Sequence, residues 1–113
     1  MSGLTTHVLD TAHGRPAAGM AIRLLRDGAQ VAGAVTNRDG RCDAPLLSGD
    51  ALTAGAYRLE FEVGVYFRDL GVALPSPAFL ETVVIDFGVA EPEGHYHVPL
   101  LVSPYAYSTY RGS

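Results

Sequence analysis

The stretch "GAYRLEFEV", from Gly55 to Val63, decides the fold class of this chain. Its apolar and polar positions alternate: Tyr57, Leu59, Phe61 and Val63 lie on one side, and Ala56, Arg58, Glu60 and Glu62 on the other. Successive side chains of a β-strand point to opposite faces, so this pattern predicts a strand with one buried and one solvated face.

Further short apolar runs, separated by turn signals, predict more strands on both sides of this one. The segment Arg41–Leu47 is compatible with one additional short strand. No alternation of strands and helices is present, so the chain is predicted to be all-β: an antiparallel sandwich of seven or eight strands. The other predicted strands are Leu4–Asp10, Met20–Asp27, Gln30–Thr36, Phe79–Val89, His95–Ser103 and Tyr105–Tyr110.

Two details refine this prediction. The segment Gly64–Gly71 is predicted to be the one short helix, with Gly71 just beyond its C-terminus. Pro99 interrupts an otherwise regular strand pattern, and because proline lacks a backbone N–H, it predicts an edge or a bulge at that position.

The composition excludes several classes of function. The 113 residues predict one domain spanning 1–113, and a net charge of −4 argues against a nucleic-acid partner. All eight basic residues are arginine, so lysine Schiff-base chemistry is excluded. The single Cys42 has no partner for an internal disulfide. No apolar run is long enough to span a bilayer, and "MSGLTTHVLD" does not read as a secretory signal, so the expected location is cytoplasmic.

Histidines are the clearest candidates for chemistry. His95 and His97 stand two apart on a predicted strand and therefore face the same side. Three interpretations remain open: a solvated or interfacial strand face, half of a zinc site, or metal-free acid–base catalysis. The zinc interpretation needs a third ligand from His7, His13 or a carboxylate, and no spacing selects one. His13, in the turn "TAHGRP", is predicted to be a solvated loop residue.

His7 and Arg41 are weaker candidates when each is taken alone. His7 lies within a predicted strand, on the face that carries Thr5 and Leu9, where a histidine is more often structural. Arg41 follows the turn "NRDG", and beside histidines its rigid set of donors would suit a planar, carbonyl-rich or anionic substrate. The residues by themselves therefore predict a small β protein, in which these polar groups form a site only if the fold brings them together.

Three stretches taken together resemble one family, the transthyretin-related 5-hydroxyisourate hydrolases. They are "LTTHVLDTAHGRPAAGMAIRL", "TNRDGR" and the ending "HYHVPLLVSPYAYSTYRGS", and they occur in the family's order across the whole chain. The ending Y-R-G-S distinguishes the hydrolases from the hormone carrier transthyretin. The resemblance implies a two-sheet sandwich assembled as a homotetramer, a dimer of dimers, with active sites in a central channel at subunit interfaces.

The resemblance also assigns residues. It implies that His7, Arg41 and His97 are catalytic, and that the substrate is bound by His7, Arg41 and the four tail residues, with no metal and no cofactor. It gives no catalytic part to His95. The implied reaction is hydrolytic ring opening of 5-hydroxyisourate to a ureidoimidazoline carboxylate. The rival hypotheses are a carrier of a small aromatic ligand, a structural sandwich that offers its edges to a partner, and a zinc hydrolase that uses His95 and His97. The tail residues are Tyr110, Arg111, Gly112 and Ser113.

Overall fold

Strands in which apolar and polar side chains alternate build two sheets that enclose an apolar core. The computed structural model describes residues 2–112. Two short helices accompany the strands, a 3₁₀ turn at Gly49–Ala51 and α1 at Val63–Asp69. The strands are β1 (Gly3–Asp10), β2 (Arg15–Pro16), β3 (Ala21–Arg26), β4 (Ala29–Val35), β5 (Leu47–Ser48), β6 (Gly55–Glu62), β7 (Thr82–Val89), β8 (His95–Val102) and β9 (Tyr107–Thr109).

The strands form a sandwich, as predicted. One sheet has the order β2-β1-β8-β9, with β5 paired to the start of β1, and the other has the order β4-β3-β6-β7. All pairs are antiparallel except β1 and β8, which run parallel from Gly3 opposite His95 to Asp10 opposite Val102. The parallel pair was not predicted. The chain builds the whole second sheet between these two strands, so no hairpin fixes their relative direction.

The alternation of β6 places its apolar side chains in the core. Leu59 and Phe61 are fully buried and Tyr57 is 2% exposed, which confirms the predicted buried face. The strand passes directly into α1, which ends as predicted: Gly71 has a φ of +84°. The N–H of Val72 donates to the carbonyl of Phe67, completing a Schellman-type end to the helix.

Two local predictions are wrong. Arg41–Leu47 is not a strand: Arg41 makes one isolated bridge to His7, and pairing with β1 resumes only at Leu47. Pro99 is neither at an edge nor at a bulge, because β8 lies between β1 and β9 and pairs with β1 without a register shift.

The ladder on the other side of β8 explains how Pro99 is accommodated. Leu100 pairs with Thr109, and further along the tail Gly112 forms an isolated bridge with His97 in the same register. The pairing between these two points is interrupted opposite Pro99, so the missing N–H falls in a gap of the ladder.

Across residues 2–112, the structure contains no helix that is long and apolar enough to cross a membrane.

Candidate active site

A cleft of about 400 Å³ opens on the outer face of the first sheet, beside β1 and β8. Its lining combines cationic, imidazole and hydroxyl groups, and no carboxylate of residues 2–112 belongs to it. A cleft of this size and polarity suits a small, oxygen-rich molecule. The lining side chains include Thr5, Arg41, Cys42, Ala44, His95 and His97.

The strand alternation and the parallel register together create this face. His95 and His97 point outward while Tyr96 and Val98 are buried, which confirms that the two histidines share one side. In the parallel ladder Thr5 lies directly opposite His97. Residues far apart in the chain therefore meet because β1 and β8 are neighbours.

Arg41 reaches this site through the turn that precedes it. The side-chain carbonyl of Asn37 accepts hydrogen bonds from the N–H groups of Asp39 and Arg41, at 2.9 and 3.2 Å. Gly40 has a φ of +74° and packs so closely on β1 that a Cβ would collide with the Val8 carbonyl. The turn is thus fixed against β1, and this contact sets Arg41 beside His7 in an isolated bridge.

His97 is the best-defined group of the cleft. Its Nδ1 lies 2.8 Å from the hydroxyl of Thr5, and its backbone carbonyl accepts a hydrogen bond of 2.8 Å from the N–H of Gly112. Burial, followed by the charges of Arg41, His7 and His95, lowers the pKa of His97. An imidazole shifted in this direction is neutral at pH 7 and free to accept a proton.

His7 stands beside the cleft and not within its lining. Its Nε2 lies 2.8 Å from the backbone carbonyl of Asp39. A carbonyl oxygen only accepts, so Nε2 carries the hydrogen of this bond, and the other ring nitrogen, Nδ1, is left for further contacts. The bond ties His7 to the turn that presents Arg41.

The tail residues separate into two groups. Gly112 packs against the ring of His97, so closely that a Cβ would lie 2.5 Å from its Cδ2. Tyr110 is 60% exposed, and the Arg111 guanidinium lies 4.2 Å from the centre of the Tyr96 ring, on the other side of the sheet. Within residues 2–112 the structure thus brings Arg41, His97 and Gly112 together, with His7 adjacent, and it does not bring Tyr110 and Arg111 to the same cleft.

The last predicted binding residue, Ser113, lies outside the described residues.

Other candidate groups fit the cleft less well. Burial and the neighbouring Asp43 raise the pKa of the Cys42 thiol, which therefore remains protonated and a poor nucleophile. Within residues 2–112, no three His, Cys, Asp or Glu side chains are arranged to hold a metal ion. His13 is an exposed loop residue, as predicted, but its Nδ1 also lies 2.6 Å from a carboxylate oxygen of the buried Asp10.

Sequence reasoning missed four residues of the cleft, Thr5, Thr6, Cys42 and Ala44. The signal for Thr5 was present, because it is two residues from His7 on the same strand face. Its contact with His97 depends on the pairing of β1 with β8, which no local pattern predicts.

Comparison with known proteins identifies relatives along the whole chain. The sequence profile of the HIUase/Transthyretin family matches residues 4–112. A 5-hydroxyisourate hydrolase from Ralstonia nicotianae is 57% identical, over 100% of this chain and 100% of that protein.

Two solved structures are also similar. A 5-hydroxyisourate hydrolase from Klebsiella pneumoniae has a TM-score of 0.86 and 41% identity, with 100% of each chain covered. An (S)-allantoin synthase has a TM-score of 0.93 and 46% identity, and the match covers 98% of this chain but 43% of the synthase. This chain thus spans less than half the length of that protein.

Proposed function

The chain belongs to the HIUase/Transthyretin family, and we propose that it is a 5-hydroxyisourate hydrolase that opens its substrate with neutral His97 and Arg41. One observation carries the mechanism: an imidazole whose pKa is lowered stands with a guanidinium in one cleft. The full-length identity of 57% to a 5-hydroxyisourate hydrolase supports the same reaction. The family match over residues 4–112 supports a single domain spanning 1–113.

The chemistry requires water, a base, a site for negative charge and a proton for the leaving nitrogen. Nε2 of His97 takes a proton from water as the water oxygen bonds to the ring carbonyl carbon of the substrate. Arg41 orients the substrate oxygens and stabilises the negative charge that develops on the carbonyl oxygen. The carbon–nitrogen bond then breaks and the nitrogen receives a proton, so the net change is the addition of one water. Positioned proton transfer of this kind contributes roughly 10²–10⁴-fold in rate.

His7 is proposed as the second proton carrier. Its Nε2 donates to the Asp39 carbonyl, so protons enter and leave at Nδ1. The same bond holds His7 next to Arg41, and loss of the His7 ring would disturb both the proton path and the position of the arginine.

The proposed assembly is a homotetramer whose sites are completed at subunit interfaces. β7 and β9 each form an edge of their sheet, and the groove beside them is lined by Phe87, Tyr96 and Tyr110. The two edge strands, the exposed ring of Tyr110 and the partly buried ring of Phe87 support pairing with a second copy. In this arrangement Tyr110, Arg111 and Ser113 bind substrate at a neighbouring subunit. Sedimentation at several concentrations tests the assembly, and a monomer with full activity would contradict it.

The carrier hypothesis is the less favoured alternative. A carrier of an aromatic ligand needs a mainly apolar cavity, whereas this cleft presents Arg41, His95 and His97. The proposed hydrolase needs no metal or other cofactor, because the histidines supply the proton transfers. Its proposed location is the cytoplasm, which cell fractionation tests.

A direct turnover assay tests the function. 5-Hydroxyisourate is generated from urate with urate oxidase, the protein is added, and the loss of ultraviolet absorbance is followed with and without EDTA. We expect decay well above the spontaneous rate and unchanged by EDTA. Decay at the buffer rate would exclude the hydrolase, and loss of activity in EDTA would exclude the metal-free mechanism.

Two variants test the residues in that assay. His97→Ala and Arg41→Ala should each lower kcat by at least about 100-fold and leave the protein folded. Arg58→Ala is the matched control, because Arg58 is also an exposed arginine but pairs with Asp86 on the other sheet. Full activity in either site variant would remove that residue from the mechanism.

A further inference from the structure

Thr5 contacts the ring of His97 on the side opposite Gly112. Its Oγ1 lies 2.8 Å from Nδ1, and the two residues are direct partners in the β1–β8 ladder. Both side chains are half-buried on the outer face of the sheet. A hydroxyl either donates to a bare ring nitrogen or accepts from a ring N–H, so the distance leaves two tautomers of His97.

The chemistry of a base distinguishes between them. If Thr5 donates to Nδ1, the neutral ring carries its hydrogen on Nε2 and has no lone pair left for a water molecule. If Thr5 accepts from Nδ1–H, Nε2 is the bare nitrogen. The bond then also survives protonation, because the imidazolium keeps its hydrogen on Nδ1.

We propose that Thr5 is the positioning residue of His97: its hydroxyl oxygen accepts from Nδ1–H, fixes the ring, and keeps the lone pair of Nε2 for the attacking water. Only the part of this role that concerns the attacking water rests on the proposed function. The tautomer is a property of the free protein and is measurable without substrate.

The position of Thr5 supports an acceptor held in place by the fold. β1 is paired on both sides, with β8 along its whole length and with β2 and β5 at its ends, so the Thr5 backbone is fixed relative to His97. A β-branched side chain also has few rotamers on a strand, so its hydroxyl loses little freedom when it makes the bond. On the opposite side of His97, Gly112 limits movement of the ring.

Nitrogen NMR of the histidine rings tests the tautomer directly. At a pH above the His97 pKa, the wild-type protein should show a protonated Nδ1 and a bare Nε2 for this ring. In Thr5→Val, which keeps the shape but removes the oxygen, the signal should move toward the Nε2–H form that a free neutral imidazole favours. His95, whose ring shares the cleft but not the bond, is the internal control and should not change.

Turnover provides the second readout. Thr5→Val should lower kcat about 10-fold, the effect of losing one hydrogen bond, with KM nearly unchanged. Thr5→Ser restores the oxygen and should retain at least half of the wild-type kcat. Thr11→Val is the matched control, because Thr11 directly follows β1 and its hydroxyl also donates to β8, at the carbonyl of Val102, away from the cleft.

The outcomes are distinct. A wild-type His97 with its hydrogen on Nε2 would overturn the proposal, and so would an Nδ1–H tautomer that persists unchanged in Thr5→Val. If the wild-type protein turned over no 5-hydroxyisourate, the proposed function would fail while the tautomer result still decided the role of Thr5.

Discussion

Gly112→Ala tests whether the tail holds the catalytic ring in place. Gly112 bonds to the His97 backbone and lies against its ring, with no room for a side chain. An added Cβ would lie 2.5 Å from Cδ2 and 3.2 Å from Cγ, whereas ordinary contacts begin at 3.4 Å. The substitution changes neither charge nor hydrogen-bonding groups, so its effect is displacement alone.

The required displacement sets the size of the effect. To restore an ordinary contact, the ring or the tail must move by roughly 0.9 Å, the difference between 3.4 and 2.5 Å. A misplacement of about 1 Å in a catalytic group can lower the rate by roughly 10²-fold. If the ring moves, we expect kcat to fall by about 10- to 100-fold. Thermal unfolding should change little, because Gly112 joins the sheet only through an isolated bridge to His97.

The assay follows decay of freshly generated 5-hydroxyisourate, with thermal unfolding measured on the same samples. Asp50→Ala is the control: Asp50 is an exposed side chain in the 3₁₀ turn Gly49–Ala51, outside the cleft and outside the edge strands proposed for assembly. It should keep the wild-type kcat. If Gly112→Ala retained kcat within about threefold of the wild type, the added Cβ would have displaced the tail and left the His97 ring in place. That result would refute the idea that the tail fixes His97.

Two further predictions concern pH. Arg41→Gln removes a positive charge that lowers the pKa of His97, so that pKa should rise and the acid limb of kcat/KM should move to higher pH. An acid limb of kcat/KM at the same pH as in the wild type would show that Arg41 does not act on the pKa of His97. Hydrogen bonds from the Arg68 guanidinium and the Ala78 N–H lower the pKa of Glu81 from 4.5 to about 2. A lowered carboxylate pKa stabilises the folded state fully above 4.5, and this contribution is lost as the pH falls toward 2. Glu81→Gln should therefore weaken the acid dependence of the free energy of unfolding, and an unchanged acid transition in denaturant titrations would contradict this account.

Much of the fold was predictable because it depends on neighbouring residues in the chain. The alternation in "GAYRLEFEV" identifies a half-buried strand, since the backbone geometry of a strand sends successive side chains to opposite faces. Gly71 marks the end of α1 because the left-handed backbone there favours glycine. The shared side of His95 and His97 follows from the same alternation.

The local predictions failed where a neighbouring strand decided the outcome. Arg41–Leu47 contains residues compatible with a strand, but most of the segment runs beside β1 without pairing. Pro99 lies in an interior strand because the ladder to the tail is interrupted opposite it, and one strand's sequence does not show where its neighbour pairs.

The sequence by itself determined the class of fold, the faces of the strands and, through its motifs, the family. The tertiary structure decided which side chains meet. Thr5 and His97 are separated by 92 positions and touch only because β1 and β8 pair in parallel. The turn that ends in Gly40 fixes Arg41 by its close packing on β1, and the tail sends Gly112 to His97 while Arg111 lies over Tyr96. Alternation is a property of one strand's backbone, whereas these contacts depend on pairing and close packing between distant segments.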